Sequence, residues 1–334
     1  PRPGDQAGRH TMNPLRTGIR KSRRWWHALH ERRMLAAQPT VDPTKRDGWS
    51  IALYAGDDAL RLVPHPGVTN PILVPGDVGD MDCDLVADPF LHRSADGWHL
   101  FFEAVDAPTQ TGRIAVASST DGREWRYERV VLTEPFHLSY PSIVESGGVP
   151  FLIPESHQAR AVRCYRPVAY PFEWEHVGNL IEGEWVDPTV FRHDGRWWMF
   201  AGSGHRLRWH AENVHLFHAE ELHGPWTEHP KSPILRGNRH HSRPAGRIQA
   251  RDGRLFRLAQ NCAPFYGTRV HAFEITELTP TRYRERPVPG DGLAGPSGTG
   301  WNAAGMHHID AHPLDGRGWI ASVDGWRWIE RRPI

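Results

Sequence analysis

A chain of 334 residues with 39% hydrophobic and 24% charged side chains can build one large globular domain or two ordinary ones. Its 40 basic and 39 acidic residues leave a formal net charge of +1, which excludes a global drive toward nucleic acid. The three cysteines (Cys83, Cys164, Cys262) form no CxxC pair, and no apolar run approaches the roughly 18–20 residues of a membrane span. With no secretory signal visible at the N-terminus, these features set the expectation of a cytoplasmic chain without disulfides or a membrane span.

Residues 1–48 differ from the rest. The first 17 are polar and rich in Pro and Gly, as in an arm. Residues 18–38 interleave Arg and Lys with Trp25, Trp26, Leu29, Met34 and Leu35, which fits one short amphipathic helix. Its basic face is first a solvated face and second a docking element for an acidic partner.

From Trp49 onward the helical period gives way to short β-rich runs bounded by Gly, Asp or Pro. These runs repeat. Asp88-Pro89 leads to a turn at Asp96-Gly97 and a strand from Trp98. Tyr140-Pro141 leads to Gly147-Gly148 and a strand from Phe151, and Asp187-Pro188 to Asp194-Gly195 and a strand from Trp197. Arg243-Pro244 leads to Asp252-Gly253 and Leu255, and His307-His308 to Asp315-Gly316 and Trp319. Asp-Gly and Gly-Gly suit two-residue hairpins, whose central residues need positive φ. A second strand pair follows each of the first four hairpins, so each unit has the four strands of a propeller blade. The fifth unit runs out of chain. The N-terminal hairpin, Trp49 to Tyr54 and Leu60 to Val63, supplies its missing pair and removes an open sheet edge. The expectation is all-β: a five-bladed β-propeller over residues 49–334, with four-stranded blades and the last blade closed by the N-terminal hairpin.

The first strand of each blade lies beside the propeller axis. The residues just before the hairpins should therefore form a ring at one channel mouth: Asp88, Tyr140, Asp187, Arg243 and His307 or His308. A single Asp-Pro reads as a strand start; two at equivalent positions read as a site. Glu103 and Glu155 end the second strands of blades one and two at matching positions, either as surface carboxylates or as cleft groups. Arginine forks bind carboxylate or phosphate, so Arg243, Arg247 and Arg269 suggest an anionic sugar, or else buried ion pairs. Neighbours on a strand face opposite sides, so at most one of His307 and His308, and one of His240 and His241, should face the channel. The alternating Asp80, Asp82 and Asp84 read as an acidic loop first and as calcium ligands second. The 15 tryptophans fit blade packing before sugar stacking.

The ring resembles that of the five-bladed glycoside hydrolases of the family 43, family 62 and fructosidase type. That resemblance implies Asp88 as base or nucleophile and Asp187 as the residue that orients the acid. Some family 43 members hold a calcium ion near a blade-five histidine, a part His308 could play. A closer resemblance over about residues 49–325 rests on Asn70-Pro71, Val86 to Leu91, Phe101 to Glu103, Glu134 to Pro141 and Ile153 to Glu155. It is to the N-terminal domain of glucosamine inositolphosphorylceramide transferases and its stand-alone bacterial relatives. The chain departs from the hydrolases at the blade-four acid, where Arg243 stands; an arginine releases no proton near neutral pH. Glu155, then Glu103, are the replacements as acid, with Asp88 as base. Tyr140, Arg243, Arg247, His307 and His308 complete the expected site as substrate-binding residues. The expected function is a glycoside hydrolase or transglycosylase acting on an anionic glycan. The alternative is a non-catalytic carbohydrate-binding or scaffolding propeller associated with glycosyl transfer.

Overall fold

The computed structural model describes residues 42–203, 212–315 and 318–331. The arm and helix expected before residue 39 lie outside them. Among the described residues the regular elements are β-strands and three single 3-10 turns.

The strands form five antiparallel sheets arranged as blades. Blade one holds Cys83–Ser94, Gly97–Asp106, Thr111–Ser119 and Arg126–Leu132. Blade two holds Ser139–Ser146, Val149–Glu155, Ala161–Ala169 and Glu173–Glu182. Blade three holds Val186–His193, Arg196–Ser203, Asn213–Ala219 and Thr227–Glu228. In blade four the inner strand is split into Arg243–Pro244 and Gln249–Arg251, both paired with Arg254–Asn261, followed by Arg269–Leu278 and Tyr283–Pro287. Blade five joins the chain ends: Ile309–Pro313 and Trp319–Glu330 continue into Lys45–Asp58 and Arg61–Pro64. The closing pair runs without a register break from Lys45 opposite Glu330 to Gly56 opposite Trp319. The closing strand thus begins at Lys45, within the stretch assigned from sequence to the arm.

Propeller strands are buried on both faces, which is why they read as continuous apolar runs. Alternate side chains of one strand feed opposite blade interfaces. Leu100 and Phe102 pack with Ile51, Leu53 and Ile320 between blades five and one, while Phe101 packs with Ile143 and Leu152 between blades one and two. Met199 and Ala201 face blade two, and Trp198 and Phe200 face blade four. The fifth interface joins Ala245, Leu258 and Val270 to Met306, Ile309 and Val323. Each interface carries its own apolar cluster, so none depends on a common centre and the axis is left for polar groups.

The inner strands share one departure from regular pairing. In blades one, two and three the register breaks between Ala87 and Phe90, Ser139 and Ser142, and Val186 and Thr189. At each break Asp88, Tyr140 or Asp187 adopts a left-handed backbone, with φ of 51°, 48° and 48°, directly before a proline. Such a conformation costs a bulky residue on the order of 1–3 kcal/mol and persists only where its surroundings impose it. The bulge lifts the side chain out of the strand's alternation and aims it at the axis.

Candidate active site

Polar bonds between neighbouring blades run around the axis at one mouth of the channel. The Asp88 amide donates to Asp324 Oδ2 at 2.9 Å, joining blades five and one. Tyr140 N–H donates to Asp88 Oδ2 at 3.2 Å, joining one and two. Asp187 N–H donates to Glu155 Oε2 at 3.0 Å, joining two and three. Arg243 grips Asp187 through Nε at 2.5 Å and Nη2 at 3.1 Å, joining three and four. The Ile309 amide donates to the Ala245 carbonyl at 3.0 Å, joining four and five. Across the ring the Tyr140 hydroxyl meets Thr189 Oγ1 at 2.8 Å and accepts the Gly246 N–H at 2.7 Å. Gly246 has a φ of 121°, and a Cβ there would lie 1.9 Å from the Ile309 carbonyl oxygen, so only glycine fits.

The ring read from sequence is therefore assembled, with one correction. Both His307 and His308 face Asp88, whose Oδ1 lies 3.8 Å from His307 Nε2 and 3.8 Å from His308 Nδ1. Strand alternation does not apply because the blade-five inner strand starts only at Ile309. Instead the consecutive amides of His307 and His308 both donate to Asp324 Oδ1, which wraps the chain around that carboxylate.

The carboxyl groups of the mouth sit in contrasting surroundings. Asp88 is buried, with no arginine or lysine in contact among the described residues. Burial, reinforced by Glu103, Asp187 and Asp324 and only partly offset by Arg243, pushes its carboxyl well above the usual carboxylate range. Asp187 is fully buried within the Arg243 fork and also accepts from Gln260 Nε2 at 3.1 Å. Burial raises its carboxyl, the guanidinium pulls against that rise, and the adjacent Glu155 carboxylate adds to it. Glu155 is buried too, but His157 Nδ1 lies 2.7 Å from its Oε1 and Arg243 Nη2 3.7 Å from its Oε2. Burial works against its ionisation; the histidine and the arginine outweigh burial and hold Glu155 down to about 2. Glu103 meets His137 Nε2 at 3.0 Å. These environments run opposite to the roles expected from sequence, which made Asp88 the base and Glu155 the acid.

Of the two readings open for the arginines, the geometry shows the ion pairs. Arg243 meets Asp187 and Glu155 and stacks over Tyr266 at 5.0 Å, so its charge is answered from within the ring. Arg247 binds Asp310 Oδ1 at 2.8 Å and the carbonyls of Ile143 and Leu91 at 3.2 and 3.3 Å. Leu91 and Ile143 lie three residues along their strands from Asp88 and Tyr140, roughly 10 Å deeper. Arg247 thus ties blades one, two, four and five together away from the mouth. Arg269 pairs with Asp291 Oδ2 at 2.9 Å on the third strand of blade four, outside the ring. No arginine at the mouth is left to receive an anion among the described residues. Of the acidic stretch, Asp80 accepts from Tyr127 and from the Val130 amide, and Asp84 pairs with Arg46 at 3.0 Å, which ties both into the fold. His240 bonds Asn261, and His241 packs on Phe273 and His271.

Asp88, His307 and Asp324 could together hold a metal ion, with ligand atoms within 4.8 Å of one another. The set is a poor match for calcium, which takes six to eight oxygens. Two imidazoles border Asp88, and Asp324 already accepts His307 Nδ1 at 2.7 Å. Neither ring nitrogen of His308 is in hydrogen-bond geometry with a partner, and burial lowers that imidazole to about 4.

Several site residues escaped the sequence reading: His137, His157, Asp324, Gln260 and Tyr266. One signal was available. Glu103 lies opposite Ala87, Glu155 opposite Ser139 and Gln260 opposite Arg243, so the second strands carry a polar ring of their own behind the first. His137, His157 and Tyr266 stand on loops, where strand periodicity says nothing.

The description "Glucosamine inositolphosphorylceramide transferase 1, N-terminal" belongs to a family whose model matches residues 42–326. A glucosamine inositolphosphorylceramide transferase 1 of Oryza sativa subsp. japonica is 34% identical over 305 residues. That alignment covers 85% of this chain and 41% of the relative, so the chain spans about two-fifths of the relative's length. Among solved structures, a glycoside hydrolase described as putative from Bacteroides ovatus superposes with a TM-score of 0.58 at 10% identity, covering 78% of this chain and 95% of that one. An α-L-arabinanase of Cellvibrio cellulosa gives 0.50 at 18% identity, covering 73% and 91%. At these identities the structural matches speak for the propeller fold alone. The family match, which extends over nearly the whole propeller, settles kinship: the chain belongs to the family of the N-terminal domain of glucosamine inositolphosphorylceramide transferase 1.

Proposed function

We propose that the propeller processes a glycan at the Asp88 mouth, by hydrolysis or by transfer to another sugar, using carboxyl groups whose proton affinities the fold has driven apart. The observation that carries the reading is the contrast between Asp88, whose buried carboxyl holds a single hydrogen bond among the described residues, from the Tyr140 amide, and Glu155, hydrogen-bonded by His157 and by the Asp187 amide with Arg243 beside it. Glycoside cleavage needs one group that gives a proton and one that is ionised, and paired groups with opposed environments mark those roles. Asp88 is the donor to the leaving oxygen. Glu155 is the ionised partner, and Asp187 with Arg243 holds the frame.

Arg243 and Arg247 are committed to carboxylates of the chain, while Asp88, Glu103, Asp187 and Glu155 crowd the mouth. That balance favours a neutral or amino sugar over an acidic one. Incubation of the full chain with a panel of aryl glycosides of neutral and amino sugars tests the reading. Turnover that falls about 100-fold or more in Asp88→Asn supports it; turnover unchanged in that variant overturns it.

A second reading is a glycan-binding propeller that serves a transferase without chemistry of its own. It is favoured by Arg243 standing where the propeller hydrolases carry their acid, and by the chain's matching only 41% of a transferase relative. Binding of oligosaccharides without turnover would select it.

A further inference from the structure

Glu155 has both oxygens engaged, by His157 and by the Asp187 amide, so it is poorly placed to take a proton from an incoming acceptor. The group it supports is better placed. Resting on the glycan-processing reading above, we propose that His157 is the general base of the site, removing the proton of the attacking hydroxyl through Nε2 with Glu155 as its orienting carboxylate.

The local chain fixes this imidazole. His157 follows the second strand of blade two by two residues and opens a single 3-10 turn, His157–Ala159. The Ala159 amide donates to the Ser156 carbonyl at 2.9 Å, and the Arg160 amide to the His157 carbonyl at 2.9 Å. Ser156 is fully buried; its hydroxyl donates to the Ala161 carbonyl at 2.7 Å and accepts the Arg163 amide. Because an ionised carboxylate only accepts, the neutral ring must carry its proton on Nδ1, which donates to Glu155 Oε1 at 2.7 Å. Nε2 is then the lone pair, and it has no hydrogen-bond partner among the described residues. The side chain is 28% exposed.

The other imidazoles around the mouth lack this combination. His137, whose ring centre is 6.4 Å from that of His157, accepts the Gly112 N–H on Nδ1 and meets Glu103 with Nε2, so both nitrogens are occupied. His307 is bound to Asp324 and packed on Trp49 at 4.2 Å, with its side chain 3% exposed. His308 is fully buried. The charged and titratable groups around His157 are Glu155, Asp187 and Arg243 from the ring, His137 with Glu103 from blade one, and Arg160 on its own turn, which pairs outward with Glu184. A carboxylate that fixes the tautomer and stabilises the imidazolium leaves the far nitrogen poised for proton transfer.

The step balances. The acceptor hydroxyl, of water or of a sugar, loses its proton to His157 Nε2 as its oxygen bonds to the anomeric carbon. The bond from that carbon to the leaving oxygen breaks, and the leaving oxygen takes the proton of Asp88. The imidazolium, facing Glu155, returns its proton to solvent, from which Asp88 is reprotonated.

The test is kinetic, on the full chain with the aryl glycoside that wild type turns over best. His157→Ala should lower kcat by about 100-fold or more with KM little changed. Added imidazole should restore part of the loss in that variant and none in Asp88→Asn. His157→Gln can still donate to Glu155 but cannot accept a proton; it should melt like wild type and be as slow as His157→Ala. The acid limb of the pH–rate profile should vanish in both. Wild-type kcat in a folded His157→Gln, or an unchanged acid limb, overturns the assignment while leaving the Asp88 reading intact. A wild type that turns over no glycoside in the panel overturns both.

Discussion

Blades one and three carry the same corner, Asp88-Pro89 and Asp187-Pro188, with the same left-handed φ and the same break in strand register. Their surroundings divide them. Asp187 is clasped by Arg243 and Gln260 and supports the junction of blades three and four. Asp88 receives the Tyr140 amide and otherwise faces two histidines at 3.8 Å. The motif fixes a backbone that aims a carboxyl at the axis; the neighbouring blade decides whether that carboxyl holds the fold or is left able to react.

The comparison can be broken most forcefully at Arg243. Replacing it with Met leaves Asp187 and Glu155 buried without their cation, which should cost about 3–5 kcal/mol in chemical denaturation. Asp187→Asn should cost less than Arg243→Met, and the double variant less than the sum, because the two share one interaction. Additive losses would mean that the fork does not couple the blades.

Glu155 gives a pH signature. Its folded value of about 2 lies below an ordinary value near 4.3, so the folded state binds fewer protons and the contribution is complete above about pH 5. That contribution, about 3 kcal/mol, is lost as pH falls toward 2. Glu155→Gln should therefore be less stable than wild type near neutrality, with the gap closing on acidification. A gap independent of pH would contradict the assignment.

A smaller effect is expected at Tyr140→Phe. Losing the hydroxyl leaves the buried Gly246 N–H without its acceptor, at a cost of about 1–3 kcal/mol. The smallest expected loss is at Asp88→Asn. The Asp88 carboxyl is raised in the folded state, so the native chain holds more protons than the unfolded one above about pH 4, and wild-type stability falls as pH rises. The variant should be at least as stable as wild type at pH 7, with its advantage shrinking toward pH 4. Asp187→Asn, by contrast, also leaves the Arg243 fork without its carboxylate and should be less stable than wild type at pH 7.

The fold was legible because every blade repeats a strand, a turn with positive φ and a strand, and because the chain ends hold complementary halves of one blade. The ring was legible for the same reason, at Asp88, Tyr140, Asp187, Arg243 and the two histidines. What Arg243 does was not legible, since only the three-dimensional ring shows that its fork closes on Asp187. Arg247 failed as a mouth residue because the blade-four inner strand breaks after Pro244, and the chain beyond carries it down the channel. His157 left no periodic trace, lying on a turn whose only sequence signal is the adjacent Glu155.

The central claim is that Asp88 keeps its proton at neutral pH in a mouth where Glu155 does not. The infrared difference spectrum between wild type and Asp88→Asn at pH 7 measures this. The claim predicts loss of a protonated carboxylic C=O band in the variant, with the carboxylate bands unchanged. Loss of a carboxylate band instead would show Asp88 ionised, and would return to it the role of base.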